Sequence, residues 1–374
     1  MLACALGTLG QSALAEEGTG LKLSGYYKNL LVGSRTVFPA GQRFTLDLNR
    51  LRLELKGEIT PGAALDLQYD NEILLGSYLR TAQFALQKDQ PPPQYWNLDR
   101  NYAEGGSYVG RHRLYRGSVT LAAGDTDVRM GRQRIAWGTG RFWSPLDILN
   151  PFSAVRLERE ERIGVDSVLV ERKFGALSRL SAVYAPQHAA GDSSAALRWH
   201  DNRAATDYSL VAGRFLRDRV AGADLATQLG DAGLRAELTG ARREDGSSYR
   251  RALFGLDYAF RNTLTLSGEL YYNGAGASER SAYDFASLLA GTIQSVGRRY
   301  FGGYAGYEIT PLLKWTNYLV VNLADHSRYF SPSLVYSLAT NVDLTIGAQL
   351  FRGGQGSEYA RLNDVYYAQI QWFF

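Results

Sequence analysis

This sequence has no long apolar run and only one cysteine. Although 45% of the residues are hydrophobic, no run reaches the roughly eighteen apolar residues of a membrane-spanning helix. The single cysteine, Cys4, excludes an intramolecular disulfide and a site with several thiolate ligands. The formal charge of +4 comes with no basic tail and no basic helix, so nucleic-acid binding is not expected.

The N-terminal segment indicates export. Residues 1–15 are mildly apolar and end in Ala13-Leu14-Ala15, an A-x-A cleavage pattern, although the charged start of a signal peptide is missing. We therefore predict a signal-peptide remnant over 1–15 and a single domain over 16–374.

Charged and apolar residues alternate with a period of two. In 50–59 every second residue is charged, and the residues between are leucine, glycine or isoleucine. A strand places all these charges on one face, whereas a helix scatters them around its circumference. The segment 65–73 repeats the pattern after the turn Thr60-Pro61-Gly62. Two such strands fit a soluble sandwich as well as a barrel.

Recurrence of the pattern separates these two folds. About eighteen alternating segments follow one another, or sixteen if two weak strands within 186–245 merge. Short turns alternate with mostly longer connections, the longest being 76–112, 138–162 and 274–297. The chain also carries 24 Tyr, 15 Phe and 6 Trp, enough for two aromatic girdles. We predict an all-β, antiparallel up-and-down transmembrane barrel with periplasmic termini, in the bacterial outer membrane.

The C-terminal strand supports the same fold. Tyr366, Ala368, Ile370, Trp372 and Phe374 share one face of an alternating segment that ends in an aromatic residue. This ending is similar to the signal by which outer-membrane proteins are recognised for insertion. Trp372 and Phe374 are the residues that we assign to it.

Inward-facing charges are predicted on two opposite walls of the lumen. The basic wall comes from the second, fourth and fifth predicted strands, and the acidic wall from the tenth to the thirteenth. Opposed walls of this kind orient polar solutes; the alternative is that the charges only solvate a wet interior and pair locally. The predicted pore-lining residues are Arg50, Arg52, Arg116, Arg132, Arg134, Asp224, Glu237, Asp257 and Glu269.

The third outer loop is apolar and aromatic, unlike a loop that is surrounded by water. Gly138 and Gly140 permit a sharp inward turn, and Pro145 and Pro151 stiffen the return. We predict that this loop folds into the barrel as a constriction, and that the charged stretch 156–162 pairs with the wall arginines. The residues assigned to the constriction are Arg141, Phe142, Trp143, Asp147, Asn150 and Phe152.

A motif spans the start of this loop. Residues 131–138 read G-R-Q-x-I-x-W-G, and D-I-L-N-P follows at 147–151. Over about thirty residues the segment resembles a motif of several outer-membrane porin-like families. The resemblance implies a channel with an inserted loop, or the porin component of an electron-conduit complex, and it implies no particular solute.

Three functions follow from the sequence. The first is passive diffusion of small hydrophilic solutes or ions, with outer-membrane lipid around the barrel. The second is a sheath around a partner such as a multihaem cytochrome; the chain has no C-x-x-C-H motif and cannot attach such haem itself. The third, a membrane-embedded hydrolase, is disfavoured because none of the four histidines, His112, His188, His200 and His326, lies in a catalytic or metal-binding pattern. We therefore expect no enzyme activity, cofactor or metal, and the sequence leaves a homo-oligomer open.

Overall fold

The structure is a computed structural model, which describes residues 20–88, 94–151, 153–158, 162–289 and 293–374. The described residues form nineteen strands in one antiparallel sheet. The strands are β1 Gly20–Arg35, β2 Arg43–Thr60, β3 Ala63–Leu75, β4 Asp99–Gly105, β5 Tyr108–Ala123, β6 Thr126–Gln133, β7 Val165–Phe174, β8 Ser178–Ala185, β9 Ser194–Arg203, β10 Thr206–Phe215, β11 Asp218–Leu229, β12 Ala232–Arg242, β13 Ser248–Ala259, β14 Thr265–Asn273, β15 Arg299–Thr310, β16 Leu313–Asn322, β17 Arg328–Ala339, β18 Val342–Arg352 and β19 Val365–Phe373. The helices are α1 Ala82–Lys88 and α2 Phe285–Leu289.

Pairing between the first and last strands closes the sheet. β1 pairs with both β2 and β19, and the other ring strands each pair with their neighbours on two sides. Within the described ranges, β4 pairs with β5 alone, alongside its residues 108–113. The ring therefore has eighteen strands, as the alternation predicts. The sequence reading missed β4, which lies inside the predicted connection 76–112.

The two ends of the barrel differ. At one end, which we name the turn end, strands are joined by short connections such as 61–62, 124–125 and 340–341. At the other, the loop end, the connections include 76–107, 134–164, 274–298 and 353–364. The start of β1 and the end of β19 both lie at the turn end. This asymmetry is typical of an outer-membrane barrel.

The outer face of the ring is apolar. Exposed aliphatic and aromatic residues lie on the outward positions at mid-height, including Leu31, Met130, Leu197, Leu210, Leu238, Phe254, Leu270, Ile346 and Ile370. Exposed rings flank this band: Phe174, Tyr258, Trp315, Tyr336 and Trp372 near the turn end, and Tyr108, Tyr184, Tyr272, Phe330 and Tyr366 near the loop end. Burying so continuous an apolar band needs a surrounding bilayer. No helix of the described residues is long and apolar enough to cross a membrane.

The last strand has the predicted orientation. Trp372 and Phe374 are both exposed on the outer face near the turn end, with ring centroids 5.3 Å apart. The backbone of Phe374 exchanges two hydrogen bonds with Gly25, at 2.9 and 3.0 Å, and so extends the seam between β1 and β19. The role of these rings in membrane insertion stays a prediction.

One predicted strand is too long. We expected a strand over 127–137, but β6 ends at Gln133 and the chain then leaves the wall. Ile135 and Trp137 are buried against the inner wall instead. Ile135 and Trp137 are buried while Arg134 and Ala136 are exposed, which is the period of a strand. Their partner, however, is the inner wall and not a neighbouring strand.

Candidate functional site

The connection between β6 and β7, residues 134–164, folds into the lumen; we name it the inserted segment. Its apolar side chains lie on the inner surface of β7 to β12. Leu146 is fully buried there, and the contacts extend across six strands. The residues of this cluster are Ile135, Trp137, Leu146, Leu169, Val183, Ala196, Val211, Phe215, Val220 and Ala241. The wall itself therefore buries the apolar loop residues.

On the next strands around the ring, β13 to β18, the wall packs against the aromatic residues of the inserted segment. Trp143 stacks on Tyr271, with ring centroids 5.2 Å apart and an interplanar angle of 13°, and its Nε1 donates to Ser295 Oγ at 3.1 Å. Phe142 lies directly over Gly302, where a Cβ atom would approach the ring to 2.6 Å. The missing side chain at Gly302 thus provides the recess for Phe142. Of the predicted constriction residues, Phe152 lies outside the described residues.

Glu237 of β12 anchors the turn of the inserted segment. The buried carboxylate accepts hydrogen bonds from the N–H groups of Thr139 (2.6 Å), Gly140 (2.7 Å) and Leu146 (3.1 Å), and from Ser144 Oγ (2.9 Å). Backbone N–H groups away from water need such partners, and an ionised acceptor forms the stronger bonds. The predicted acidic pore residue thus binds the chain's own backbone.

Glu269 of β14 anchors the next residues in the same way. It accepts the N–H groups of Arg141 at 2.6 Å and Phe142 at 2.9 Å. It also accepts Arg235 Nε at 2.9 Å, and Arg235 in turn pairs with Asp257. Sequence reasoning missed Arg235, although it lies two residues before Glu237 on the same strand face and period two could have found it.

The other two predicted acidic residues also lie on the inner wall. Asp257 pairs with Arg235 and lies 3.5 Å from Arg141 Nε of the inserted segment. Asp224 is buried opposite Ser209 of β10, and one of its oxygens has no hydrogen-bond partner among the described residues. The acidic wall therefore has few charges that remain available to a solute.

Asp147 and Asn150 hold the base of the inserted segment. Asn150 accepts the N–H of Ile135 at 2.9 Å and donates to the carbonyl of Ile163 at 3.0 Å. Asp147 forms an ion pair with Arg162 at 2.8 Å. These contacts join the two ends of the segment, so that it enters and leaves the lumen at nearly the same place.

The basic wall is neutralised by neighbouring carboxylates. Arg50 Nε lies 2.7 Å from Glu72 on the adjacent strand, and its Nη1 lies 2.8 Å from Glu158 of the inserted segment. Arg52 binds both oxygens of Asp70, at 2.6 and 2.7 Å. All four wall residues are buried. The counter-charges Asp70 and Glu72 come from β3, the strand next to β2.

A second group of arginines on this wall has no such partner. Arg116 of β5, Arg129 of β6 and Arg134, which begins the inserted segment, line a cavity of about 250 Å³; we name these three residues the basic cluster. None of them forms an ion pair with a described residue, from 20 to 374 outside the gaps given above; Arg116 donates to the carbonyl of Arg162 and Arg129 to Thr120 Oγ1. The other lining residues are Ala64, Leu65, Asp66, Ser118, Thr120 and Gln133. The cluster gives this part of the lumen an excess of positive charge.

Arg132 lies on the opposite face of the sheet from its predicted position. It pairs with Asp166 and shares the outward parity of the exposed Met130. The segment 94–98 covers it: Arg132 bonds to the carbonyl of Trp96, and Asp166 accepts the N–H of Trp96 at 2.8 Å. Arg132 also donates to the carbonyl of Leu114 at 3.1 Å. It therefore joins wall strands where β4 meets β6 and does not face the lumen.

The histidines form no cluster. Among the described residues, no group of three or more His, Cys, Asp or Glu side chains is placed to hold a metal ion. The nearest partners are Tyr69 for His112 (3.4 Å), Tyr95 for His188 (5.2 Å between centroids) and Ser209 for His200 (3.2 Å), while His326 lies in a turn with φ of 62°.

Solved structures of similar fold are outer-membrane proteins. No protein-family model matches the chain, and a search of curated proteins also finds no match. OccAB2 of Acinetobacter baumannii aligns with a TM-score of 0.59 at 11% identity, over 96% of this chain and 99% of that one. Pseudomonas aeruginosa OpdK with vanillate gives 0.58 at 12%, over 95% and 98%, and OccK2 (OpdF) of the same organism with glucuronate gives 0.55 at 12%, over 95% and 98%. At these identities the likeness shows the fold.

Proposed function

We propose that this chain is a bacterial outer-membrane channel for passive diffusion of small hydrophilic solutes, with a preference for anions. The observation that carries the proposal is the basic cluster in the lumen of a closed, lipid-facing ring. An eighteen-strand ring is wide enough for a water-filled passage. The inserted segment narrows it. Of the predicted constriction residues, Arg141 is exposed to the passage, whereas Phe142, Trp143, Asp147 and Asn150 are buried and hold the segment in place.

The preference for anions follows from which charges remain unpaired. Arg50 and Arg52 face carboxylates at ion-pair distance, and Glu237 and Glu269 accept backbone N–H groups. Arg116, Arg129 and Arg134 lack such partners among the described residues and line open space. A guanidinium binds a carboxylate through two parallel hydrogen bonds. Small carboxylates are therefore the solutes that we expect to pass best.

Two structures of similar fold support this solute class. OpdK was crystallised with vanillate and OccK2 with glucuronate, and both ligands are small carboxylates. The basic cluster of this chain is positively charged and is therefore complementary to carboxylates of this kind.

Planar-bilayer recordings test the proposal. The protein alone should give stepwise conductance, and a salt gradient should give a reversal potential of anion-selective sign. Replacing the basic cluster by Arg116→Gln, Arg129→Gln and Arg134→Gln should move that potential toward cation selectivity. The control is Arg261→Gln, an exposed residue of a turn-end connection. An unchanged reversal potential in the triple variant would show that the basic cluster does not determine ion selectivity.

The sheath around a cytochrome, as in an electron conduit, is the second candidate. It receives less support because the inserted segment contacts the inner wall from β7 to β18 and reaches Arg50 of β2 through Glu158. A protein partner would have to displace it. Co-purification of a haem protein, together with no conductance from the barrel alone, would favour the sheath.

A further inference from the structure

Arginines face one another across neighbouring strands on the outer surface of the loop end. Arg214 of β10 is directly opposite Arg219 of β11, and Arg219 is opposite Arg242 of β12. All three are exposed, and their strand neighbours Phe215 and Val220 point inward into the cluster under the inserted segment. Two more pairs repeat the arrangement around the same rim: Arg35 with Arg43, and Arg328 with Arg352.

Like charges in directly opposed positions destabilise a sheet, because their Cβ atoms lie only about 5 Å apart. Part of this charge is balanced within the chain. Arg214 lies 3.5 Å from Glu244, and Arg352 lies 2.7 Å from Asp364. Arg219 and Arg242 form no ion pair with any described residue, and neither does the nearby Arg250. A ligand that brings negative charge would relieve the repulsion between them.

A hollow in the outer surface lies between these three arginines. It measures about 880 Å³, and its lining includes Arg219, Ala221, Gly240, Arg242, Arg250 and Tyr272. The floor is shallow because Ala221 and Gly240 carry little or no side chain, and a Cβ atom at Gly240 would meet nothing within 4 Å. The hollow therefore has room for a group the size of a phosphate.

The surroundings of the hollow are apolar on one side and open on the other. Toward mid-height, Leu238, Phe254 and Leu270 are exposed on the outer face. Toward the loop end, β10 and β11 are joined by only Leu216 and Arg217, so no long loop from that hairpin shields the site. Cations above an apolar surface match an amphiphile whose acidic head lies above its acyl chains.

We propose that Arg219, Arg242 and Arg250 bind phosphate groups of an anionic lipid in the membrane leaflet at the loop end. Guanidinium groups bind phosphate oxygens through paired, charge-assisted hydrogen bonds. The acyl chains of the lipid lie on Leu238 and Leu270. The inference rests on the proposed location in a membrane and is independent of which solute passes through the lumen.

Lipid binding to the full-length protein tests this site. The probe is phosphatidic acid in phosphatidylcholine nanodiscs, with phosphatidylcholine alone as the blank, and bound lipid is counted by native mass spectrometry. Arg219→Gln, Arg242→Gln and Arg250→Gln together should weaken retention of phosphatidic acid on the order of 100-fold, from the contribution of each basic residue near an anionic surface. The matched control, Arg172→Gln with Arg203→Gln and Arg261→Gln, removes three exposed arginines near the turn end and should change nothing.

Three further results decide the interpretation. Wild-type retention should fall as ionic strength rises, and retention that is insensitive to salt would overturn the site even if the triple variant failed to fold. Inorganic phosphate should not replace phosphatidic acid; equal binding of both would overturn the lipid as the source of the phosphate. Bilayer conductance of the triple variant should match wild type, so a silent wild-type barrel counts against the channel and not against the lipid site.

Discussion

The two charged walls of the lumen satisfy their buried charges in different ways. On the side of β2 and β3, Arg50 and Arg52 meet carboxylates of the next strand, so each has an ion-pair partner within the wall even without the inserted segment. On the side of β12 and β14, Glu237 and Glu269 meet backbone N–H groups of the inserted segment, so this wall is complete only when the segment is in place. Charged residues on the inner face of this barrel therefore hold the inserted segment in place, in addition to any effect on which solutes pass.

The largest effect that distinguishes the walls is expected at Glu237. Glu237→Ala leaves three N–H groups of the inserted segment without this acceptor: that of Leu146 is buried, and those of Thr139 and Gly140 are part-buried. The cost is about 1–3 kcal/mol for the buried group and less for each of the other two. The segment should detach, so single-channel conductance should rise with added noise, and the segment should become sensitive to protease. Glu171→Ala is the control, since Glu171 bonds to Ser181 of the neighbouring wall strand and not to the segment. A quiet channel of unchanged conductance would show that packing alone holds the segment.

The next largest effect is expected at Gly302. Gly302→Ala forces Phe142 from its recess, because the new Cβ atom would lie 2.6 Å from the ring, and overpacking of this kind costs about 1–3 kcal/mol. Thermal stability should fall and conductance should change together. Gly268→Ala on the adjacent strand has its nearest neighbour at 3.8 Å and should be neutral. Equal melting temperatures for both variants would contradict the packing argument.

A smaller effect is expected on the basic wall. Glu158→Gln removes a carboxylate shared by Lys28 and Arg50, each at 2.8 Å, while the wall keeps Glu72 and Asp70. The inserted segment should stay docked, and anion selectivity should rise a few-fold because positive charge is uncovered. Reversal potentials in a salt gradient measure this change, with Glu54→Gln as control because Glu54 pairs with Lys56 near the turn end. If Glu158→Gln raised the conductance as much as Glu237→Ala, the basic wall would also be needed to hold the inserted segment, which would contradict the proposed difference between the two walls.

The smallest effect concerns a third way to satisfy a buried carboxyl group. Glu358, in the loop-end connection 353–364, accepts hydrogen bonds from Tyr300 (2.8 Å) and Asn322 (2.9 Å), and burial raises its pKa to about 7. Its stabilisation of the docked loop is complete below the ordinary pKa of 4.5 and is lost as the pH rises through about 7. Amide protection factors in 353–364, which compare each exchange rate with the intrinsic rate at the same pH, should therefore be lower at pH 8 than at pH 5. Glu358→Gln should abolish the difference, and a pH response that persists would assign it to another group.

The alternation of apolar and polar residues predicts the eighteen strands of the ring, but it does not predict β4. The ring strands follow the predicted alternation because each has one face in lipid and one in a polar interior, and this requirement alternates apolar and polar residues along the sequence. β4 was missed because its seven residues pair with one strand at the rim, where neither face must be apolar. β6 pairs only with 117–123 of β5 and leaves 108–113 of that edge for β4. This arrangement depends on the tertiary structure and not on the local sequence.

The functional residues divide along the same line. Arg50, Glu237 and Glu269 lie on the predicted face, because parity follows from the strand pattern alone. Their partners did not follow from it, since Glu158 and the N–H group of Gly140 come from a segment whose path is set by packing. Arg132 was placed on the wrong face because a charged residue on a barrel strand usually faces inward, and the cover supplied by 94–98 has no local signal.

A ring of eighteen strands with no internal support deforms into an ellipse at little cost, because each strand pair hinges slightly about its neighbour. The inserted segment is attached to β2 through Glu158 and to β12 and β14 through Glu237 and Glu269, so it ties opposite sides of the ring together. Lateral pressure from the bilayer then acts on a braced cylinder. The width of the passage should consequently stay nearly constant between membranes of different thickness or tension.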